Sequence, residues 1–468
     1  MKQIGQHAIV IGASMGGLLA ARALADYYQQ VTLLERDTFP APGEQRKGVP
    51  QGRHTHALLV KGREVLEDFF PGLTQQLVEQ GAVLSDALAD GRRFIGGGYY
   101  CQTRSNMLSL LVSRPLLEAQ VRTRVLALPH VRVIENCDAL GLAATVECAA
   151  SPWDRGRVGG VRLIRRLAGS VEEILQGDLV VDASGRGSRT PTWLAALGYP
   201  TPEEELVRVG MGYTSRIYQR KPEHLQGAKV VQVVPTSEIK RGAVMLAQEG
   251  NRWIVTIAGY PGDQPPADEQ GFLEFARGLS APELYEVIKN AEPLSDPLPA
   301  KFPANMRRRY ERLTRFPTGF LVIGDAICSF NPVYGQGMTV AALEAVILHE
   351  CLAQGGAERL APRFFTKVSQ VVDIPWNITI ANDRRFVEPE SRRSPMARFI
   401  QWYMDKLHIA ARRDPVAALA FLKVTNLMAP PPSVLHPRIA LRVLWGNLRP
   451  AETARTVKRN ATTALSPR

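Results

Sequence analysis

Residues 7–35 read HAIVIGASMGGLLAARALADYYQQVTLLE, and the fold is decided here. An apolar β-run, HAIVIG at 7–12, enters a turn of small residues, Ala13-Ser14-Met15-Gly16-Gly17. A helix, LLAARALADYY, follows at once, and VTLLE at 31–35 is the next strand. Strand, tight turn, helix and strand together place a pyrophosphate at a helix N-terminus, where free amides and the helix dipole favour negative charge. The usual spacing is GxGxxG. Gly12 and Gly17 fill the outer places and Ser14 takes the middle one. Serine keeps that place small and offers a hydroxyl to a phosphate oxygen. Glu35, at the end of the second strand, stands where an acidic side chain accepts hydrogen bonds from ribose hydroxyls. Its charge makes the 2′-phosphate of NADP a poor fit. The turn predicts dinucleotide binding without separating FAD from NAD.

A second block, GFLVIGDAICSFNPVYGQGM at 319–338, lies about three hundred residues downstream. It reads as a buried strand over 320–323 ending in Gly324-Asp325. A loop with Pro332 follows, and Gly335-Gln336-Gly337 opens a helix running to about Ala353. A carboxylate at a strand end, close to glycines at a helix N-terminus, suits a polar cofactor with hydroxyls and a developing negative charge. One ligand held by both blocks is the simplest reading.

At 468 residues the chain can bury a large core and suggests two to three domains. Its five cysteines, Cys101, Cys137, Cys148, Cys328 and Cys351, are odd in number and scattered, with no CxxC. No disulfide framework, zinc site or iron–sulfur site is expected, which fits a cytoplasmic protein. The first apolar run is too short for a signal peptide, and no window approaches the length of a transmembrane helix. Of the net charge of +12, most is C-terminal: residues 383–468 hold 16 Lys and Arg against 6 Asp and Glu. No nucleic-acid fold accompanies this charge, so nucleic-acid binding is excluded. A solvated helical surface is the plainer reading, with peripheral contact to an anionic membrane or an acidic carrier protein as the alternative.

The nucleotide-binding part is predicted in three pieces, 1–60, 112–200 and 300–355. Between them, VRVGMGYTSRIYQ, AKVVQVVPT, GAVMLAQ and RWIVTIAGY alternate and are rich in β-branched and aromatic residues. They predict an antiparallel sheet that forms a substrate domain over 61–111 and 201–299. Residues 356–468 read as helical, broken by Pro375, Pro395, Pro415 and Pro430-Pro431-Pro432, with amphipathic segments such as PRIALRVLWGNL and a frayed tail, ATTALSPR.

Three landmarks in this order resemble the single-component FAD monooxygenases of the para-hydroxybenzoate hydroxylase and squalene epoxidase type, over residues 5–355. They are the turn with Glu35, the strand end Asp182-Ala183-Ser184-Gly185-Arg186-Gly187-Ser188-Arg189, and Gly324-Asp325 with Pro332 and Gly335-Gln336-Gly337-Met338. At the second landmark Ser184-Gly185 replaces the usual Asp-Gly. The resemblance implies an α/β fold: a Rossmann-type (glutathione-reductase-like) FAD domain, an inserted antiparallel β-sheet substrate domain and a C-terminal helical region. It implies that Asp325 bonds a ribityl hydroxyl, that the amides of Gly337 and Met338 face N1 and the C2 carbonyl of the flavin, and that Arg114 reaches the phosphate or ribityl region. The stretch RKGVPQGRHTHALL, 46–59, with the whole layout, is similar to bacterial flavin epoxidases that act on polyenes in polyether antibiotic pathways. There Arg53 faces the pyrophosphate or ribityl chain, and Arg36 and Arg46 join the cofactor-binding set with Gly12, Ser14, Met15, Gly16, Gly17 and Glu35. His54 and His56 read as residues that fix this loop by hydrogen bonds.

The activity implied is that NAD(P)H reduces FAD, O2 adds at flavin C4a, and the hydroperoxide passes one oxygen atom to an alkene of a lipophilic polyene or terpenoid-like substrate. The cofactor carries the chemistry, so no protein nucleophile, metal or paired carboxylate is expected. An aromatic hydroxylase acting on a phenol or polyketide is the alternative on the same fold. A geranylgeranyl-type flavin reductase and a non-catalytic flavin-binding protein are further alternatives. A halogenase would need WxWxIP, and the chain has only Ile374-Pro375-Trp376.

Overall fold

The computed structural model describes residues 3–56, 58–145, 156–236, 238–387 and 394–448. The expected tail motif ATTALSPR and Cys148 lie outside them. Five short, apolar strands form one parallel sheet in the spatial order Phe320–Val322, Leu179–Asp182, Gly5–Ile11, Tyr28–Leu34, Val131–Ile134. Ala8, Ile9, Val10, Val31, Leu33, Val180, Val181 and Val322 within it are wholly buried. Such strands are covered on both faces, which is why they read as apolar runs rather than alternating ones. Chain order reverses between Gly5–Ile11 and Leu179–Asp182. In doubly wound sheets, ligands bind beyond the carboxyl ends of the strands at this switch point. Gly12, Glu35, Asp182 and Gly324-Asp325 all follow such ends.

A second sheet of eight strands runs Cys328–Ser329, Leu298–Arg308, Glu204–Gln219, Arg252–Gly259, Arg241–Gln248, Val230–Val233, Gly91–Ile95, Gly98–Tyr99. It is antiparallel except where Val230–Val233 pairs with Gly91–Ile95. The helices Glu269–Arg277 and Glu283–Ile288 cover one face, burying Trp253, Phe272, Phe275 and Leu284. Each such side chain contributes roughly 1.5–3 kcal/mol when fully buried. Asp268 caps the first of these helices by accepting from the Gly271 amide at 2.8 Å. A third, three-stranded antiparallel sheet uses Cys137–Thr145, Arg157–Arg165 and Glu172–Gln176.

The fold is mixed α/β, as expected, but the pieces divide differently from the sequence reading in two places. Leu298–Arg308, assigned largely to the nucleotide part, pairs along Glu204–Gln219 and so belongs to the eight-stranded sheet. The helix Val60–Phe69, at the start of the predicted substrate piece, packs on Gly337–Gly355 instead; a Cβ on Gly62 would meet the Thr339 hydroxyl at 2.5 Å. Beyond residue 356 the described residues are mostly helical: Leu360–Val387, Pro395–Ala411, Pro415–Thr425 and Pro437–Leu448. Pro395 and Pro415 sit in first turns, with Ser394 and Asp414 as caps. Pro375 does not break its helix, contrary to expectation; it lies inside Leu360–Val387. An interior proline forfeits a backbone hydrogen bond and costs about 3 kcal/mol. Burial of Val368, Val372, Trp376 and Ile380 along one face offsets that cost.

Candidate functional site

The phosphate-type turn forms as the sequence predicts, and two of its glycines are there for space. Gly12 has φ +95°, and a Cβ on it would meet the Ala183 carbonyl oxygen at 2.7 Å. A Cβ on Gly17 would lie 1.8 Å from the Gly12 oxygen, so only glycine lets the helix Met15–Ala25 pack onto the turn. Gly16 is under no such constraint; its open side faces Ala341 at 3.9 Å. That contact joins the N-terminal turn to the helix Gly337–Gly355, so the two distant blocks meet. Met15 is buried in the core.

Around the turn lies a buried knot of charge. Glu35 accepts from the Ala13 amide at 3.0 Å and the Asp37 amide at 3.1 Å, and pairs with Arg46 at 2.6 Å. Arg46 also donates to the Ala13 carbonyl at 2.9 Å and pairs with Glu118. Glu118 in turn pairs with Arg114 at 2.8 Å, and Arg114 donates to the Ser14 hydroxyl at 2.9 Å. Burial pushes the Glu118 carboxyl up, but Arg114 and Arg46 outweigh it and hold the group below the usual range. Glu118 was missed in the sequence. Its signal was there: Arg114 and Glu118 are spaced i, i+4 on one helix face beside Ser14. Arg36 and Arg53 stand apart, exposed and without a hydrogen bond or ion pair among the described residues.

At the second block, Gly324 adopts φ +71° and turns the Asp325 carboxylate toward the start of Gly337–Gly355, 3.9 Å from where a Gly337 Cβ would sit. Asp325 is accessible at its surface, yet the protein around it raises its carboxyl pKa, against the pull of Arg114 and Arg186. It accepts no hydrogen bond from the described residues. Pro332 lies in the single turn Pro332–Tyr334, and Gly335 closes that turn with φ +66°. Gln336 is buried and accepts from Thr379 at 3.4 Å, while Met338 is buried at the helix start.

Two buried acids behind this loop were not read from the sequence. Glu344, nearly two helical turns past Gly337, accepts from the Gly324 amide at 2.5 Å and is pushed by burial up to about 8. Asp383, on Leu360–Val387, accepts from Tyr260 and Tyr334 at 2.9 Å each, Asn305 at 2.7 Å and Asn331 at 3.0 Å. It ties the helix Leu360–Val387, the eight-stranded sheet and the loop together. Asp182 is also consumed structurally, by the Ser184 amide and the Ser188 and Thr190 hydroxyls.

In the loop after Arg53, His54 lies 2.9 Å from the Ser215 hydroxyl, which is 2.6 Å from that of Thr256, itself 2.5 Å from that of Thr55. His54 also meets Tyr213 edge to face at 4.8 Å. His56 bonds the His54 carbonyl at 3.0 Å. Burial, with Arg53 beside His54 and Arg114 beside His56, lowers both to about 4, so both are neutral at pH 7. His56 thus bonds the loop's own backbone, and His54 joins a hydroxyl chain running into the eight-stranded sheet.

Cations beside a glycine turn, a hydroxyl-accepting carboxylate and a helix start, all at strand ends of a doubly wound sheet, make a donor set that fits FAD. Solved structures of flavin-dependent enzymes share this fold. The flavin-dependent brominase Bmp2 superposes with a TM-score of 0.63 over 96% of this chain and 98% of its own, at 14% identity. PqsL, a probable FAD-dependent monooxygenase from Pseudomonas aeruginosa, gives 0.60 over 82% and 99%, at 17% identity. The p-nitrophenol 4-monooxygenase PnpA from Pseudomonas putida DLL-E4 gives 0.59 over 91% and 99%, also at 17% identity. No family model matches the sequence. In sequence the chain is 33% identical over 444 residues, 90% of each protein, to Protein Rv3254 of Mycobacterium tuberculosis (strain ATCC 25618 / H37Rv), and it belongs to the same family as that protein.

Proposed function

We propose that this chain is an FAD-dependent monooxygenase that uses NAD(P)H and O2 to epoxidise one or more alkenes of a lipophilic polyene or terpenoid-like substrate. Asp325 carries the proposal: an exposed carboxylate at a strand end, accepting no hydrogen bond from the described residues, beside the start of the helix Gly337–Gly355. FAD, when bound, supplies the redox and oxygen-activating chemistry. The chain's part is to bind and orient it. The amides of the first turn after Ser14, with Arg46 and Arg114, meet the pyrophosphate; Glu35 meets the ribose; Asp325 accepts from the ribityl chain. The amides of Gly337 and Met338 face the pyrimidine end of the ring, where a helix N-terminus stabilises negative charge by about 0.3–1 kcal/mol. Tyr213, Tyr334 and the apolar strands around them keep water from the reacting alkene.

One observation favours aromatic hydroxylation as the second reading. His54 is a neutral imidazole on a chain of hydroxyls, suited to accept a phenolic proton. The two are separated by oxygen-dependent NADPH oxidation and product mass with polyenes and with phenols. Epoxidation predicts a gain of one oxygen on the polyene and a rate insensitive to His54→Ala. Turnover of phenols, lowered by His54→Ala on the order of 100-fold, establishes the hydroxylase instead. A purified protein that is colourless and cannot be reconstituted with FAD sinks both.

A further inference from the structure

The last helix turns its apolar face away from the protein. In Pro437–Leu448, the side chains of Leu441, Leu444, Trp445 and Leu448 recur at the i, i+3, i+4, i+7 spacing of one helix face. Their exposures are 66%, 52%, 66% and 81%. The opposite face is the packed one: Val443 is buried in a small core with Tyr403, Leu407 and Val434. A Cβ on Gly446 would come within 2.9 Å of Ala410, so the helix lies close on Pro395–Ala411 by that side. On this neighbouring helix Phe399 and Trp402, exposed 52% and 49%, form a ring pair with centroids 5.9 Å apart. Single exposed apolar residues are ordinary, but six on two packed helices mark an interaction surface.

We infer that this face docks onto an anionic lipid bilayer, independently of the flavin reading. Arg438 and Arg442 border the stripe; Arg442 also pairs with Asp414 at 3.0 Å, but the helix itself has no acidic residue, so its rim keeps a net positive charge that complements anionic headgroups. A second copy of the same face would set those arginines against their own counterparts. Residues 449–468 have Val457 and Leu465 as their only large aliphatic side chains, hold no aromatic, and carry 5 basic residues against 1 acidic, which adds to the positive charge beside the stripe in the sequence. Trp402 and Trp445 suit the headgroup level, where amphipathic rings settle. The binding is peripheral, since no helix among the described residues is long and apolar enough to cross a membrane.

The test is flotation of the full-length protein with vesicles of phosphatidylcholine, alone or mixed with phosphatidylglycerol, alongside sedimentation velocity. The wild type is expected to float with the anionic vesicles only and to be released by salt. Leu441→Ser with Trp445→Ser is expected to lower the bound fraction at least about tenfold with an unchanged thermal midpoint. Arg438→Glu, which leaves the stripe intact, is expected to weaken binding to the anionic vesicles alone. Failure of the wild type to float with either vesicle overturns the inference, as does equal flotation of the double variant. A wild-type dimer that the double variant splits assigns the face to a second copy instead.

Discussion

At the residue scale the site depends on single groups whose surroundings set their charge. Asp325→Ala removes the carboxylate proposed to accept from a ribityl hydroxyl. A hydrogen bond to a charged group contributes about 1.5–3 kcal/mol. FAD affinity should therefore fall roughly tenfold to a hundredfold with little change in folding, as read by flavin fluorescence titration; unchanged affinity would release Asp325 from this role. Glu344 gives a pH prediction. Its folded-state pKa is raised from 4.5 to about 8, so the folded protein keeps a proton that the unfolded chain releases. Stability therefore falls as pH rises from about 4.5 through about 8. Glu344→Gln should flatten that slope, measured as thermal midpoint against pH; a slope identical to wild type would show that Glu344 does not titrate there. Gly12, Gly17 and Asp325 were legible in the sequence because a positive φ, a close backbone approach and a strand-end acid are local demands. Glu118 left only a faint trace, and Glu344 and Asp383 left none. An acid inside an apolar helix looks the same whether it meets solvent or a distant amide.

At the element scale, Asp383 is the joint between the helix Leu360–Val387 and the loop Pro332–Tyr334. Asp383→Ala would strand two phenols and two amides in the interior. Breaking such a buried charged network costs about 3–5 kcal/mol, visible as a lower urea midpoint, with Asp383→Asn between the two. A wild-type midpoint would mean that the four donors find other partners. The same joint explains two sequence-level misreadings. Pro375 was read as a break because a proline's local cost is visible and the burial around it is not. Leu298–Arg308 was divided between domains because a strand's partners are set by pairing between distant residues, here 104 apart from Glu204 to Arg308.

On the scale of the whole molecule, the cofactor-type residues come from the turn at 12–17, the helix Arg114–Leu126, the strand end at Asp325 and the helix Gly337–Gly355. A ligand that touches all four binds the folded chain and not the unfolded one. FAD at about 100 times its dissociation constant should therefore add about 2.7 kcal/mol to stability. Calorimetry with and without FAD checks this, and an unmoved transition would argue against a site shared by these elements.

The sequence by itself determined the local grammar: the glycine turn, the acids at strand ends, the buried and alternating strands, and the amphipathic last helices. Each follows from backbone geometry or from side-chain periodicity within a dozen residues. Only the tertiary structure decided which groups face one another. It paired Arg46 with Glu35 and Glu118, set Glu344 behind Gly324, and closed four donors on Asp383. It also turned Leu441 and Trp445 outward, where the sequence showed only that one face was apolar. Those outcomes depend on which surfaces pack together, and packing is a property of segments distant in the chain.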